Sequence, residues 1–458
     1  MTAKPSELDG VLHPDFQPVA DVLRDQVRKY PGGAAVCVWH RGECVVDLWG
    51  GSRDENGQPW LRDTMSPSFS TTKGVATTLL HRMVDQGLLD YDDRVAKHWP
   101  EFAQAGKERI TVRHVLSHQS GLYHIRQMID SADRMLDWDH MIAAIERTPP
   151  IHPPGERTGY HGLTYGFLVG EILRRVTGRP FPQLVREEIA LPLGLDGIYV
   201  GATDDAIPRA ARLIWPKEGW FSTMSLVQAA ETGPGSSVFS GVGSFLHRTL
   251  RFAGVEFDAE SLLDALAPRG IKQFDFSAAE TLRAAIPAAN GLFTARSLAK
   301  MYAALAAGGE IDGVRLISRE TLRRATELQE PTKHRHVIPF DMRWRLGWHG
   351  VFTLRGVVHG AYGHFGFGGS GAWADPGREL SAALIVNSGM GTPFGDLRIV
   401  RITSAVLESA SARRRSLARV AAASKAALPA PAATSPREES SPGADDPDRM
   451  GELAKGAV

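Results

Sequence analysis

The sequence predicts an α/β protein of the α+β kind: one antiparallel sheet built from both ends of the chain and flanked by terminal helices, with a mostly helical lobe inserted between them. Three observations predict it. A β-rich hairpin pattern, "AAVCVWHRGECVVDLW", stands near the N-terminus, and a second β-rich region, "HGVFTLRGVVHGAYGHFGFGGSGAWADPGRELSAALIVNSG", occupies 349–389. Between them, from about residue 70 to 290, helical periodicity dominates. Strands at both ends around a helical middle are most simply paired into a single sheet.

Taken in order, residues 15–29, "DFQPVADVLRDQVRK", have helical periodicity and stop before Pro31-Gly32-Gly33. Two strands follow, joined by an Arg41-Gly42 turn, so the chain is expected to open helix, strand, strand. That turn places Cys37 and Cys44 diagonally across the hairpin, and both are expected as buried thiols of a reducing cytoplasm. The helical lobe, about 65–289, is broken by Pro/Gly loops such as "TPPIHPPGER" at 148–157, and no internal repeat is visible. The sheet portion then spans about 15–64 and 290–412, closing with an amphipathic helix over 395–410. Beyond about 412 the composition turns to Ala, Pro, Ser and charge, so 413–458 is expected as a disordered tail with at most a short helix at its start. A basic amphipathic membrane anchor at "ARRRSLARVAAASKAAL" is the alternative, but the stretch lacks aromatic anchors.

Composition excludes whole classes of function. The 458 residues are 43% hydrophobic and carry 52 basic and 52 acidic side chains, enough apolar content for a large core and no bulk charge to recruit nucleic acid or an anionic membrane. The N-terminus shows no basic region followed by an apolar run, and no uninterrupted stretch of about 18 apolar residues occurs. A cytoplasmic protein without a transmembrane segment is expected, its oligomeric state unspecified.

The chemistry starts at "SPSFSTTKGVATTLLHRMVDQG", residues 66–87. Ser70 opens an otherwise apolar helix and Lys73 follows one turn later, so both fall on one face and the amine can reach the hydroxyl. The helix N-terminus favours negative charge developing there. For Lys73 to accept a proton near neutrality its pKa must fall well below about 10.4, which burial and a neighbouring donor can achieve. A second S-x-x-K, Ser297 to Lys300, reads as an ordinary first helical turn capped by Thr294 or Ser297. Two further residues distinguish Ser70. Tyr160 is delivered by a Gly/Pro-rich loop just before a helix, whereas Tyr165 suits core packing. In "YGHFGFGGSGAWADP", His364-Phe365-Gly366 meets glycines that allow close backbone approach to a ligand, although a ligand-free glycine-rich hairpin would read the same.

Together, Ser70-Thr71-Thr72-Lys73, Tyr160 and His364-x-Gly366 resemble the S-x-x-K, Y-x-N and K-T-G motifs of the serine β-lactamase and penicillin-binding-protein superfamily. The phrases "ITVRHVLSHQSGL" at 110–122, "YHGLTYGFLVGEILRRVTG" at 160–178 and "AANGLFTARSLAKMYAALAAGG" at 288–309 extend the resemblance over roughly residues 15–410. Within the superfamily the chain looks most like family VIII carboxylesterases. The resemblance implies a β-lactamase/transpeptidase-like fold and an acyl-enzyme on Ser70, with Lys73 and Tyr160 as general base and proton relay. It further implies an oxyanion hole from the backbone N–H groups of Ser70 and Phe367, substrate binding by His364 and Gly366, a small-molecule ester as partner, and neither cofactor nor metal. Gly162 stands in place of the asparagine and His364 in place of the lysine, the two groups that bind a β-lactam's amide and carboxylate in the lactamases.

Rival readings remain to be separated. A metal hydrolase is suggested by His114 with His118 and by His334 with His336, but neither pair has a third ligand at zinc-like spacing. "GGSGAW" around Ser370 lacks the second glycine of a nucleophile elbow. A β-lactamase or D,D-peptidase is the alternative within the superfamily, the latter needing export. A catalytically silent structural protein is the alternative from another class, and it has no physical need for Ser70, Lys73 and Tyr160 together. The natural ester is not legible; Trp215, Trp220, Phe221 and Met224 read either as an acyl-site wall or as core or lid.

Overall fold

The computed structural model describes residues 7–215, 259–330, 332, 334–338, 341–389 and 396–426. The chain divides into two compact units, Met1–Arg413 and Arg414–Val458. In the first, a seven-stranded antiparallel sheet is formed by β1 (Asp9–Leu12), β2 (Gly33–His40), β3 (Glu43–Gly51), β4 (His349–Thr353), β5 (Gly356–Phe365), β6 (Gly371–Asp375) and β7 (Leu380–Val386). Its order is β1-β3-β2-β7-β6-β5-β4. The chain ends meet at the β2–β7 seam, in register from His40 opposite Leu380 to Ala34 opposite Val386.

Strand alternation sorts side chains into two cores. Ala34, Val36 and Val38 of β2, with Leu380, Ala382, Leu384 and Val386 of β7, face the terminal helices. Ala35 and Cys37, with Ala383 and Ile385, face the helical lobe. Helix α1 (Gln17–Lys29) buries Val19, Ala20, Leu23, Gln26 and Val27, a stripe spaced at one and two helical turns. The last helix, numbered α5 (Leu397–Ala426), adds Ile399, Ile402 and Val406 to the same layer. Each such apolar side chain, fully buried, contributes about 1.5–3 kcal/mol. On the other face lies α4 (Ala295–Ala306), tied to β7 by Ser381 Oγ donating to Ala299 O at 2.8 Å.

The lobe is organised around α2 (Thr72–Asp85), whose residues from Thr72 to His81 are all buried. A helix buried on every side must satisfy its polar groups internally. Thr77 Oγ1 pairs with Tyr165 OH at 2.7 Å, and His81 donates from Nε2 to Leu346 O at 3.0 Å while Nδ1 accepts from Tyr91 OH at 2.8 Å. Helix α3 (Thr164–Thr177) packs beside it.

Three details extend or differ from the sequence reading. Strand β1 precedes α1; it is short and exposed, so it leaves no hydrophobic alternation, and its Gly10 (φ 122°) lies where a Cβ would fall 1.9 Å from Asp47 O. Helix α5 continues through the expected 412 boundary to Ala426, and residues 427–458 lie outside the described residues. In the β2–β3 hairpin, turned at Arg41 (φ 56°) and Gly42 (φ 78°), a bulge between Val38 and Trp39 sets Cys37 opposite Asp47 and Cys44 opposite Trp39. The two free thiols touch at 3.7 Å, and Cys44 is exposed rather than buried, since it lies in the exposed first two residues of β3 beside the turn.

Candidate active site

Ser70 lies in a 3-10 turn, Phe69–Thr71, that runs directly into α2. Phe69 is a non-glycine residue in the left-handed region (φ 44°), a conformation that surrounding structure must hold. Its ring is wedged edge-on between Phe276 and Phe367, at centroid distances of 5.0 and 5.2 Å.

Lys73 is fully buried. Its Nζ lies 3.0 Å from Ser70 Oγ, 2.7 Å from Gly162 O and 3.1 Å from Ala288 O. Burial alone lowers its pKa well below the usual lysine range. In its neutral form the amine has two N–H bonds and one lone pair; with the two carbonyls taking the N–H bonds, the lone pair would face the Ser70 hydroxyl. Ala288 O is presented by a loop that Asn290 organises, accepting from Ile286 N–H and donating to Thr281 O and Ala284 O.

Tyr160 OH donates to Ser70 Oγ at 2.9 Å, and burial raises its pKa, so the phenol holds its proton. The loop carrying it is fixed from the 118–120 segment: Gly159 N–H donates to His118 O, His161 N–H to His118 Nδ1, and Ser120 Oγ to His161 Nε2 at 2.6 Å. Gly159 packs on the Tyr123 ring with no room for a Cβ. Gly162 is similarly closed off, since a Cβ there would lie 2.3 Å from Leu266 Cδ2 and 2.5 Å from Ala265 O. The asparagine of the resembling lactamases does not fit at this backbone position. Trp344 stacks on Tyr160 (5.9 Å, 15° between planes) and meets His118 at 4.4 Å.

His364 is the penultimate residue of β5 and is buried. Its Nδ1 donates to Phe365 O at 3.0 Å, which leaves Nε2 as an acceptor, unpartnered among the described residues. Burial first, then the neighbouring His349 and Lys73, pushes its pKa well below the ordinary histidine value. It lines a recess of about 220 Å³ with Tyr160, Ile338, Met342, Trp344 and His349. Gly366 follows, and a Cβ there would sit 2.3 Å from Ser68 O and 2.8 Å from Thr71 Oγ1. That glycine brings the strand end against the Ser70 turn. Phe367 begins the next turn. Neither its N–H nor that of Ser70 donates in the turn, loop and cap hydrogen bonds of the described residues.

Ser70, Lys73 and Tyr160 thus converge on one oxygen, with His364, Gly366 and Phe367 beside them. The second S-x-x-K is used otherwise: Thr294 caps its helix, Ser297 Oγ accepts from Gly197 N–H at 3.1 Å, and Lys300 pairs with Asp312 at 2.8 Å. His114 completes a capping box with Thr111, and His118 packs on Tyr160. Tyr165 is core, bonded to Thr77. Trp215 is 38% exposed and lies 6.1 Å from the Phe367 ring; Trp220, Phe221 and Met224 lie outside the described residues. Trp344, His349 and Ala288 carry no spacing signal toward Ser70, so sequence reasoning passed over them, and His118 stood out there only as a metal-ligand candidate.

The chain as a whole has counterparts in known proteins. A model of the Beta-lactamase family matches residues 22–407. The chain is 36% identical over 389 residues to the esterase/beta-lactamase LipL of Mycobacterium tuberculosis (strain ATCC 25618 / H37Rv), 82% of each chain being covered. It is similar to the crystal structure of a family VIII carboxylesterase (TM-score 0.73, 32% identity, 88% of this chain and 100% of that one). It is also similar to that of a penicillin-binding-protein homolog from Caulobacter crescentus (TM-score 0.71, 36% identity, 88% and 100%). No helix among the described residues is long and apolar enough to cross a membrane. A sheet joined from both chain ends, a serine and lysine one turn apart at the head of a buried helix, and matches over most of the chain make this protein a member of the serine β-lactamase superfamily, a β-lactamase-fold hydrolase with esterase relatives.

Proposed function

We propose that the chain is a serine carboxylesterase that cleaves small, uncharged carboxylic esters in the cytoplasm through an acyl-enzyme on Ser70. The observation that carries this reading is the meeting of Lys73 Nζ and Tyr160 OH on Ser70 Oγ, with the lysine buried and held by two carbonyls rather than by a carboxylate. Ser70 Oγ attacks the ester carbon as its proton passes to Lys73. The tetrahedral oxyanion is received by the Ser70 and Phe367 N–H groups. As the C–O bond breaks, Tyr160 gives its phenolic proton to the leaving alkoxide and regains one from the Lys73 ammonium; water then releases the acid by the reverse proton path.

Esters are favoured over β-lactams by two features of the site. His364 is a buried neutral acceptor where a substrate carboxylate would call for a cation, and Gly162 leaves no space for an amide-binding side chain. The test is Ser70→Ala beside Ser297→Ala on a chain-length series of p-nitrophenyl esters and a chromogenic cephalosporin. Ser70→Ala is expected to lose at least about a thousandfold in kcat, and Ser297→Ala to change little. Wild-type turnover by both variants on every ester would disprove the serine assignment.

A further inference from the structure

The turn that carries the Phe367 N–H has little rigidity of its own. Gly368 (φ 87°) and Gly369 (φ 98°) stand side by side in the left-handed region, and glycine gives up that conformation easily. Within the turn, Gly366 N–H donates to Ser370 O at 2.8 Å and Gly369 N–H reaches Gly366 O only at 3.4 Å. The Gly368 carbonyl is instead taken by a side chain from another element: Arg398 Nη2, at the start of α5, donates to it at 2.6 Å.

Arg398 is 2% exposed and held from several sides. Its Nε donates to Asp396 Oδ1 at 2.8 Å, its Nη2 to Asp396 Oδ2 at 3.0 Å, and its backbone N–H to Asp396 Oδ1 at 2.7 Å. Gln26 Nε2 donates to its carbonyl at 2.9 Å, and its guanidinium lies 4.7 Å over the Tyr30 ring. A Cβ on Gly369 would fall 2.8 Å from Arg398 Nε, so the guanidinium lies flat along the turn and only glycine admits it. A buried ion pair adds little net stability over apolar packing of the same volume. What this pair supplies is a fixed place for one peptide, by a charge-assisted hydrogen bond.

We infer that Arg398 is a positioning residue for the oxyanion site. Asp396 fixes the guanidinium, the guanidinium fixes the Gly368 peptide, and the fixed turn keeps the Phe367 N–H aimed at the carbonyl oxygen attacked by Ser70. The inference rests on the acyl-enzyme reading above and adds a residue that acts through Gly368 rather than on the substrate.

The test compares an ester with its thionoester in wild type, Arg398→Met and Arg398→Lys. Sulfur is the larger atom and the weaker acceptor, so a well-formed oxyanion site discriminates against it and a loosened one does so less. Arg398→Met is expected to lower kcat by about ten- to a hundredfold and to lower the oxo-to-thiono ratio of kcat/KM by about fivefold or more, with KM within about threefold. Loss of folded enzyme lowers both rates together and leaves that ratio untouched. Arg398→Lys, which keeps a charged donor near Gly368 O, is expected to regain part of both. If Arg398→Met does not fold, Asp396→Asn, which removes the anchoring charge and leaves the arginine, is expected to lower the ratio in the same direction by a smaller factor. An oxo-to-thiono ratio equal to wild type in the folded variant overturns the inference. Ester turnover surviving in Ser70→Ala would overturn the acyl-enzyme reading instead, so the two failures are distinguishable.

Discussion

Acidification from pH 7.5 to 5 is expected to destabilise this fold steeply, and the cause lies in histidines buried as neutral rings. His81 and His161 have pKa values lowered to about 3 and His349 to about 4, against 6.5 in the unfolded chain, with burial the largest cause in each. Hydrogen bonding shows why a second proton is unwelcome. His349 donates from Nδ1 to Gly350 O at 2.7 Å and accepts the Phe365 N–H on Nε2 at 2.9 Å, so protonating Nε2 would set donor against donor at the end of β5. The positive Arg345 adds to the effect at His349. Because the folded values lie below the unfolded one, the stability is fully present above pH 6.5 and is lost as pH falls toward 4 and 3. Each group contributes a slope of about 1.4 kcal/mol per pH unit in that window, so three contribute about 4. Between pH 7.5 and 5 the loss reaches about 6 kcal/mol, comparable with the whole stability of an ordinary domain, about 5–15 kcal/mol. Ion-paired carboxylates such as Asp93, with a pKa of about 2, titrate below this window. The assay is the urea midpoint by far-UV circular dichroism at half-unit steps from pH 7.5 to 5. A midpoint that stays flat over that range would refute the reasoning.

Two further outcomes follow from the site and the chain's end. His364→Lys is expected to raise cephalosporin turnover relative to ester turnover by about tenfold, because a cation there attracts a substrate carboxylate with about 1.5–3 kcal/mol, while the closed Gly162 position still denies amide recognition; an unchanged ratio of the two kcat/KM values would show that position 364 does not set the substrate class. Truncation after Arg413 is expected to leave Tm and ester turnover nearly unchanged, since Ala410 is the last apolar side chain of the described cores; a drop in Tm of more than a few degrees by calorimetry would contradict this.

Alone, the sequence determined what short-range geometry controls. Ser70 and Lys73 share a helix face because residues three apart always do, and the alternation in 34–40 and 380–386 dictated which side chains face which layer. Motif order was enough to single out Tyr160 and His364, because each lies in a stretch whose glycine pattern is local. The tertiary structure decided everything that depends on burial and long reach. The lowered pKa of Lys73 and its two carbonyl partners come only from α2 being enclosed on all sides, with Gly162 O and Ala288 O arriving from 89 and 215 residues away. The neutral state of His364, the closure of Gly162 against Ala265 and Leu266, and the grip of Arg398 on Gly368 are of the same kind. Desolvation and close packing sum over neighbours brought together by the fold, and no periodicity along the chain encodes which neighbours those are. Strand β1 and the bulge at Val38–Trp39 escaped notice for the related reason that an exposed edge and a one-residue register shift leave hydrophobic patterning almost unaltered.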